Sequence, residues 1–164
     1  SNVRVVSVDL ADQTFSASTQ SIHSSNGGTF QPEGDAMVWL DAVMSYNNSV
    51  SRDIKSADAL DALRLSVGMT TSAGTANAYD YLAADFNQDG RVTSADALEI
   101  LKSSVGLPGS LSAEWIFVDS NADLSGINRR DTTVTRGKAL TDMGATENVT
   151  LTAILVGDVN DSYI

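Results

Sequence analysis

The chain has 164 residues, a formal net charge of −11 and no cysteine. Such acidity repels phosphate backbones and excludes nucleic acid as an expected partner, while the same field attracts cations. The missing cysteines exclude disulfides and thiolate metal sites, whereas 42% hydrophobic residues allow a sizeable core; no apolar run approaches the ~20 residues that span a bilayer.

Ser1-Asn2 reads as a cloning remnant, no signal peptide is visible, and the chain is expected to be cut from a longer protein. Val3-Arg4-Val5-Val6-Ser7-Val8 has strand character. Residues 11–35 are rich in Ser, Thr and Gly and are expected to be loop or weak strand. They hold the single histidine, His23, which reads as a solvated loop residue. Residues 36–46 carry Met37, Trp39, Leu40, Val43 and Met44 and are expected to form a helix leading into a duplicated segment.

The duplication is plain in the residues themselves. The fifteen residues from Ser56 to Thr70 align with those from Ser94 to Pro108 at an offset of 38, with 9 of 15 identical. Unrelated segments match at about one position, so the two stretches are copies of one unit. Each copy reads as a helix. In the second, Thr93 and Asp96 have capping-box spacing, Leu98, Leu101 and Val105 share one face, Gly106 suits the left-handed C′ position, and Pro108 blocks continuation. Leu60, Leu63, Val67 and Gly68 occupy the matching places in the first. Two such short helices are expected to pack against each other, since neither can bury a stripe alone. Between them, residues 69–78 read as a small-residue linker and Ala78 to Ala84 as a second lead-in helix.

The second helix is preceded by Asp85-Phe86-Asn87-Gln88-Asp89-Gly90-Arg91-Val92-Thr93-Ser94-Ala95-Asp96. Calcium takes six to eight oxygens, and a loop coiling around it presents alternate side chains. That is the Asp-x-Asn-x-Asp spacing. Gly90 sits where the loop must turn with positive φ. Arg91 would supply its carbonyl, Val92 would point into the core, Thr93 would ligate through water, and Asp96 would close the shell. The same places in copy one hold Asn47, Ser49, Ser51, Asp53 and Asp58, with Arg52 where glycine belongs. This degenerate second set is expected to be an ion-free turn that holds its helix.

Beyond the repeat, Trp115-Ile116-Phe117-Val118 is a short strand, and Asp119-Ser120-Asn121-Ala122-Asp123 reads as a turn, because Leu124 replaces the glycine a ligand loop needs. Residues 149–156 form the strongest strand. Gly157-Asp158-Val159-Asn160-Asp161 resembles the start of a ligand loop and reads as a turn whose oxygens could assist a neighbouring ion.

The duplicated Asp-x-Asn-x-Asp-Gly-x-Val-x-x-x-Asp-Ala-Leu segment, running into helices that end in Val-Gly-Leu or Val-Gly-Met, resembles a type I dockerin over about residues 40–108. The tail resembles those found after dockerin-like repeats in large secreted or surface bacterial proteins. The resemblance implies a duplicated loop–helix core, related to half of an EF-hand, at 36–108. The strands read at both ends add flanks 1–35 and 109–164 joined in a small β-sheet, so the chain is expected to be α+β. The resemblance also implies Ca2+ as cofactor, a cohesin-like module or an intramolecular domain as partner, and an extracellular location. Positions ten and eleven of each loop would choose that partner: Ser94 and Ala95, and Ser56 and Ala57. Catalysis is not expected, since Gly-x-Ser-x-Gly and phosphate-loop motifs are absent from the sequence. The alternative is a calcium-stabilised structural cap with no cohesin partner. A carbohydrate-binding module is disfavoured, because Trp39, Trp115, Tyr79 and Tyr81 are expected to be committed to apolar segments.

Overall fold

The computed structural model describes residues 4–9, 14–15, 31–32, 38–42, 44, 46, 53–140 and 148–160. Among the described residues the helices are α1 (Ser56–Ser66), α2 (Ala78–Ala84) and α3 (Ser94–Ser104). Each begins where a side chain can take up orphan amides. Asn77 Oδ1 accepts from Tyr79 N (2.8 Å) and Asp80 N (3.2 Å), and Asp80 returns a bond to Asn77 N (2.7 Å). Thr93 and Asp96 do the same for α3, with Thr93 N on Asp96 Oδ2 at 2.8 Å and Ala95 N on Thr93 Oγ1 at 3.2 Å. Lys55 has no acceptor atom, so α1 keeps only the carboxylate half, Lys55 N to Asp58 Oδ2 at 2.8 Å.

The repeated helices also stop identically. Gly68 N donates to Leu65 O and Met69 N to Arg64 O; Gly106 N donates to Ser103 O and Leu107 N to Lys102 O. Both glycines have positive φ (83° and 66°), which completes a Schellman motif at each end.

Helices α1 and α3 pack on each other, but not through the leucines expected to meet there. The buried positions are Asp58, Ala59, Asp61, Ala62 and Leu65 on α1, and Asp96, Ala97, Ile100 and Ser103 on α3. Leu60, Leu63, Val67, Leu98, Leu101 and Val105 all lie exposed. Alanines on the inner seam let two short helices approach closely, and the bulky stripe falls outside. Buried Asp61 is satisfied by Ser72 N (2.8 Å), the Ser72 hydroxyl and Arg64 Nη1 (3.4 Å).

The strands are β1 (Arg4–Asp9), β2 (Thr14–Phe15), β3 (Gln31–Pro32), β4 (Val38–Leu40), β5 (Trp115–Asp119), β6 (Lys138–Leu140) and β7 (Asn148–Leu155). The ends of the chain meet as expected, in an antiparallel sheet of order β1-β7-β5 with Arg4 opposite Ala153 and Trp115 opposite Leu155. As the middle strand, β7 is buried almost continuously from Val149 to Leu155. Two small pairs accompany it, parallel β2-β3 and antiparallel β4-β6.

Within the stretch 36–46, expected to be a helix, Val38–Leu40 is instead the strand β4. Val38-Trp39-Leu40 is a β-branched and aromatic run, and a strand partner at Lys138–Leu140 outweighs its helical spacing. Trp39 is 52% exposed, not committed to the core as expected, whereas Trp115 is buried. The lead-in helix at 78–84 and the strands near 115–119 and 148–155 fall where the sequence places them. His23 lies outside the described residues.

One core joins these parts. It runs from Ile54, Ala62 and Leu65 through Leu82, Phe86, Val92 and Ile100 to Phe117, Leu151, Val156 and Val159.

Candidate metal centre

The loop 85–96 leaves α2 at Asp85, its C-cap, and enters α3 at Thr93. Its two terminal carboxylates are buried and draw the loop around themselves. Asp85 Oδ1 accepts from Asp89 N (3.1 Å), and Oδ2 from Gly90 N (3.0 Å). Asp96 Oδ1 accepts from Asn87 N (3.1 Å) while Oδ2 holds Thr93 N. The middle pair is exposed: Asn87 Oδ1 accepts from Asp89 N (2.9 Å), Asn87 Nδ2 donates to Asp89 Oδ2 (3.2 Å), and Asp89 Oδ1 accepts from Arg91 N (3.1 Å). Gly90 turns at φ 94°, as the sixth place requires, and Val92 enters the core. Gln88 also takes positive φ (57°), and its amide bonds Glu114.

Four oxygen-bearing side chains and a sharp glycine thus fall within one twelve-residue loop. Burial pushes the Asp85 carboxyl above its usual range, and the charges of Asp96 and Asp89 push it further. A divalent ion would relieve that repulsion, and an all-oxygen donor set suits calcium. Among the described residues, no three His, Cys, Asp or Glu side chains are drawn together as a ready-made metal cluster. The carboxylates of Asp85, Asp89 and Asp96 turn instead to amides of their own loop.

Sequence reading missed the wall behind this loop. The stretch from Leu124 to Arg136 folds back on it: Thr132 N donates to Gly90 O (3.0 Å), Val92 N donates to Arg129 O (2.9 Å), and the Thr132 hydroxyl bonds Asp85 Oδ2. Arg129 Nη1 also reaches Ser66 O at the end of α1 (3.0 Å). A Thr/Arg-rich loop carries no local signal for such a role. The 119–123 stretch is a turn, with Asn121 N on Asp119 Oδ1 (3.0 Å) and Lys138 Nζ 3.6 Å from Asp119 Oδ2. Hydrogen bonds from Ser125 lower the Asp123 pKa, and those from Thr133 lower that of Asp131.

In copy one, Asn47, Ser49 and Ser51 lie outside the described residues. Asp53 is held by Tyr46, whose hydroxyl accepts from Asp53 N (3.3 Å) and is pushed up to about 12 by burial. Asp58 is fully buried, and burial raises it to about 6, with the charge of Asp158 adding to the shift. Ser56, Ala57, Ser94 and Ala95 all lie exposed at the starts of α1 and α3.

A sequence model of the type I dockerin domain matches residues 55–103, from the cap of α1 nearly to the end of α3. Type I dockerin domains bind calcium, and their partners are cohesin modules. No curated protein and no solved structure matches the chain. Among the described residues, no helix is long and apolar enough to cross a membrane.

Proposed function

We propose that this chain is a non-catalytic, calcium-dependent docking module of a secreted or surface bacterial protein. Residues 36–108 form its duplicated loop–helix core, flanked by 1–35 and 109–164. Asp85, Asn87, Asp89, the Arg91 carbonyl and Asp96 hold the ion, which fixes the entry of α3 and hence the face it shares with α1. The observation carrying this reading is the exposed apolar stripe, which repeats residue for residue. Leu60, Leu63, Val67 and Met69 are all exposed, and so are Leu98, Leu101, Val105 and Leu107 at the same offset of 38. Solvent-facing leucines at matched positions of a duplicated helix are costly to retain without a partner that covers them. Exposed Ser56, Ala57, Ser94 and Ala95 lie at the head of the stripe, and a groove lined by Ser56, Val105, Leu107 and Leu111 borders it.

One observation favours the cap reading: the C-terminal flank is fused into the same core and holds loop 85–96 through Thr132 and Arg129. The leucine stripe nonetheless stays exposed.

The test is binding of the whole chain to an immobilised type I cohesin module, in calcium and in EDTA. Docking predicts capture in calcium only, and its loss in the double substitution L63D/L101D. Capture that ignores EDTA contradicts the calcium dependence. An absence of capture under both conditions removes the cohesin assignment and leaves the cap.

A further inference from the structure

The buried carboxylate of Asp58 is served from an unexpected direction. Its Oδ2 holds Lys55 N at 2.8 Å, and its Oδ1 accepts from Asn160 N at 3.0 Å, 102 residues away. In copy two, Asp96 Oδ2 holds Thr93 N at 2.8 Å and its Oδ1 accepts from Asn87 N at 3.1 Å. Asn160 therefore stands to α1 as Asn87 stands to α3. The correspondence continues backwards. Asp158-Val159-Asn160 falls on Asp85-Phe86-Asn87, an Asp-x-Asn run whose first carboxylate is buried (Asp158, Asp85) and whose middle residue is core (Val159, Phe86). Ile54 and Val92, both buried, hold the eighth place of the two loops.

A second observation points to a ligand. Asn160 Oδ1 is shielded from solvent, and no hydrogen-bond donor among the described residues reaches it. A buried amide oxygen without a partner is costly, and native proteins rarely leave one. It sits on the same turn as Asp158, whose charge bears on Asp58. Asp58 and the orphan oxygen are both buried acceptors on one side of α1, and a hard divalent cation is the ligand that suits such an all-oxygen set.

From the shared capping geometry and the orphaned amide oxygen, we propose a second calcium site, split along the chain. Asp58 supplies the twelfth-position ligand of the first repeat, and Asp158 and Asn160 of the C-terminal turn supply the first and third. The loop that copy one has lost is replaced by the far end of the chain. An ion there fastens the turn after β7 to the start of α1. The proposal shares its choice of ion with the calcium reading of loop 85–96 and uses none of that loop's residues.

Calorimetric titration of the EDTA-treated whole chain with calcium chloride tests it. The expected result is two ions for the parent, one for Asp158→Asn and one for Asp89→Ala. A single ion, unchanged in Asp158→Asn and lost in Asp89→Ala, overturns the split site and leaves loop 85–96 standing. A single ion lost in Asp158→Asn and kept in Asp89→Ala supports the split site and removes the loop. No ion at all overturns both. Asn160→Asp keeps the side chain's size, adds a carboxylate and guards against a misfolded Asp158 variant. It is expected to tighten one of the two affinities by about tenfold, since ligand charge tunes calcium sites; two unchanged affinities overturn the proposal.

Discussion

The hydroxyl of Thr132 donates to Asp85 Oδ2 across 47 residues of chain, inside the wall that backs loop 85–96. Thr132 belongs to no repeat, yet it orients the first carboxylate of the loop. Thr132→Val keeps the shape and removes the donor. Partners that orient a metal ligand typically contribute 10–100-fold to affinity. Calcium binding at loop 85–96 should therefore weaken by about tenfold, with little change in the far-UV spectrum. Titration of the two proteins side by side checks this, and equal affinities would show that Thr132 merely packs.

Gly157 joins the two repeats at close quarters. A Cβ added there would lie 2.7 Å from Phe86 Cε2 and 3.1 Å from Ile54 Cδ1, at φ +105°. Phe86 is the second residue of loop 85–96, and Ile54 holds the eighth place in the matching stretch of copy one. Gly157→Ala should destabilise the fold by about 1–3 kcal/mol through overpacking and strain. Urea unfolding measures it. A midpoint equal to the parent's would mean that the three residues are not packed as described.

Neighbouring residues of α1 should respond oppositely to substitution. Ala62 is fully buried on the seam with α3, so Ala62→Leu should cost about 1–3 kcal/mol. Leu63 is 44% exposed, and Leu63→Ala should change stability by no more than about 0.5 kcal/mol. Thermal unfolding of both variants decides which face is inside; the reverse order would restore a leucine seam.

These contrasts show what sequence could and could not disclose. The turn at Gly90 and the capping of α3 by Thr93 and Asp96 were legible because they are local, falling within one twelve-residue stretch. The helix ends were legible for the same reason, in Gly68 and Gly106. Periodicity located the leucine stripe but could not say which face is buried, since Ala59, Ala62 and Leu65 repeat with the same period. Residues 36–46 misled because β4 depends on a partner nearly 100 residues later. Thr132 and Asn160 were illegible for that reason too. Each reaches its carboxylate only after the sheet has brought the far end of the chain back.

Calcium removal should reach the whole fold, because an ion that binds only the folded chain stabilises it by mass action. At a free concentration one hundred times Kd, each site contributes about 2.7 kcal/mol. For a chain of this size that corresponds to a Tm lower by roughly 5–10 °C in EDTA for each occupied site. Calorimetric scans with and without EDTA give the shift, and an unchanged Tm would mean that no ion is bound to the native state.

The most direct measurement is an anomalous difference map from crystals of the whole chain grown in calcium. The account predicts a peak enclosed by Asp85, Asn87, Asp89, the Arg91 carbonyl and Asp96, with oxygens at about 2.3–2.6 Å. A well-ordered loop 85–96 with no anomalous peak, its carboxylates still bonded to their own amides, would contradict it.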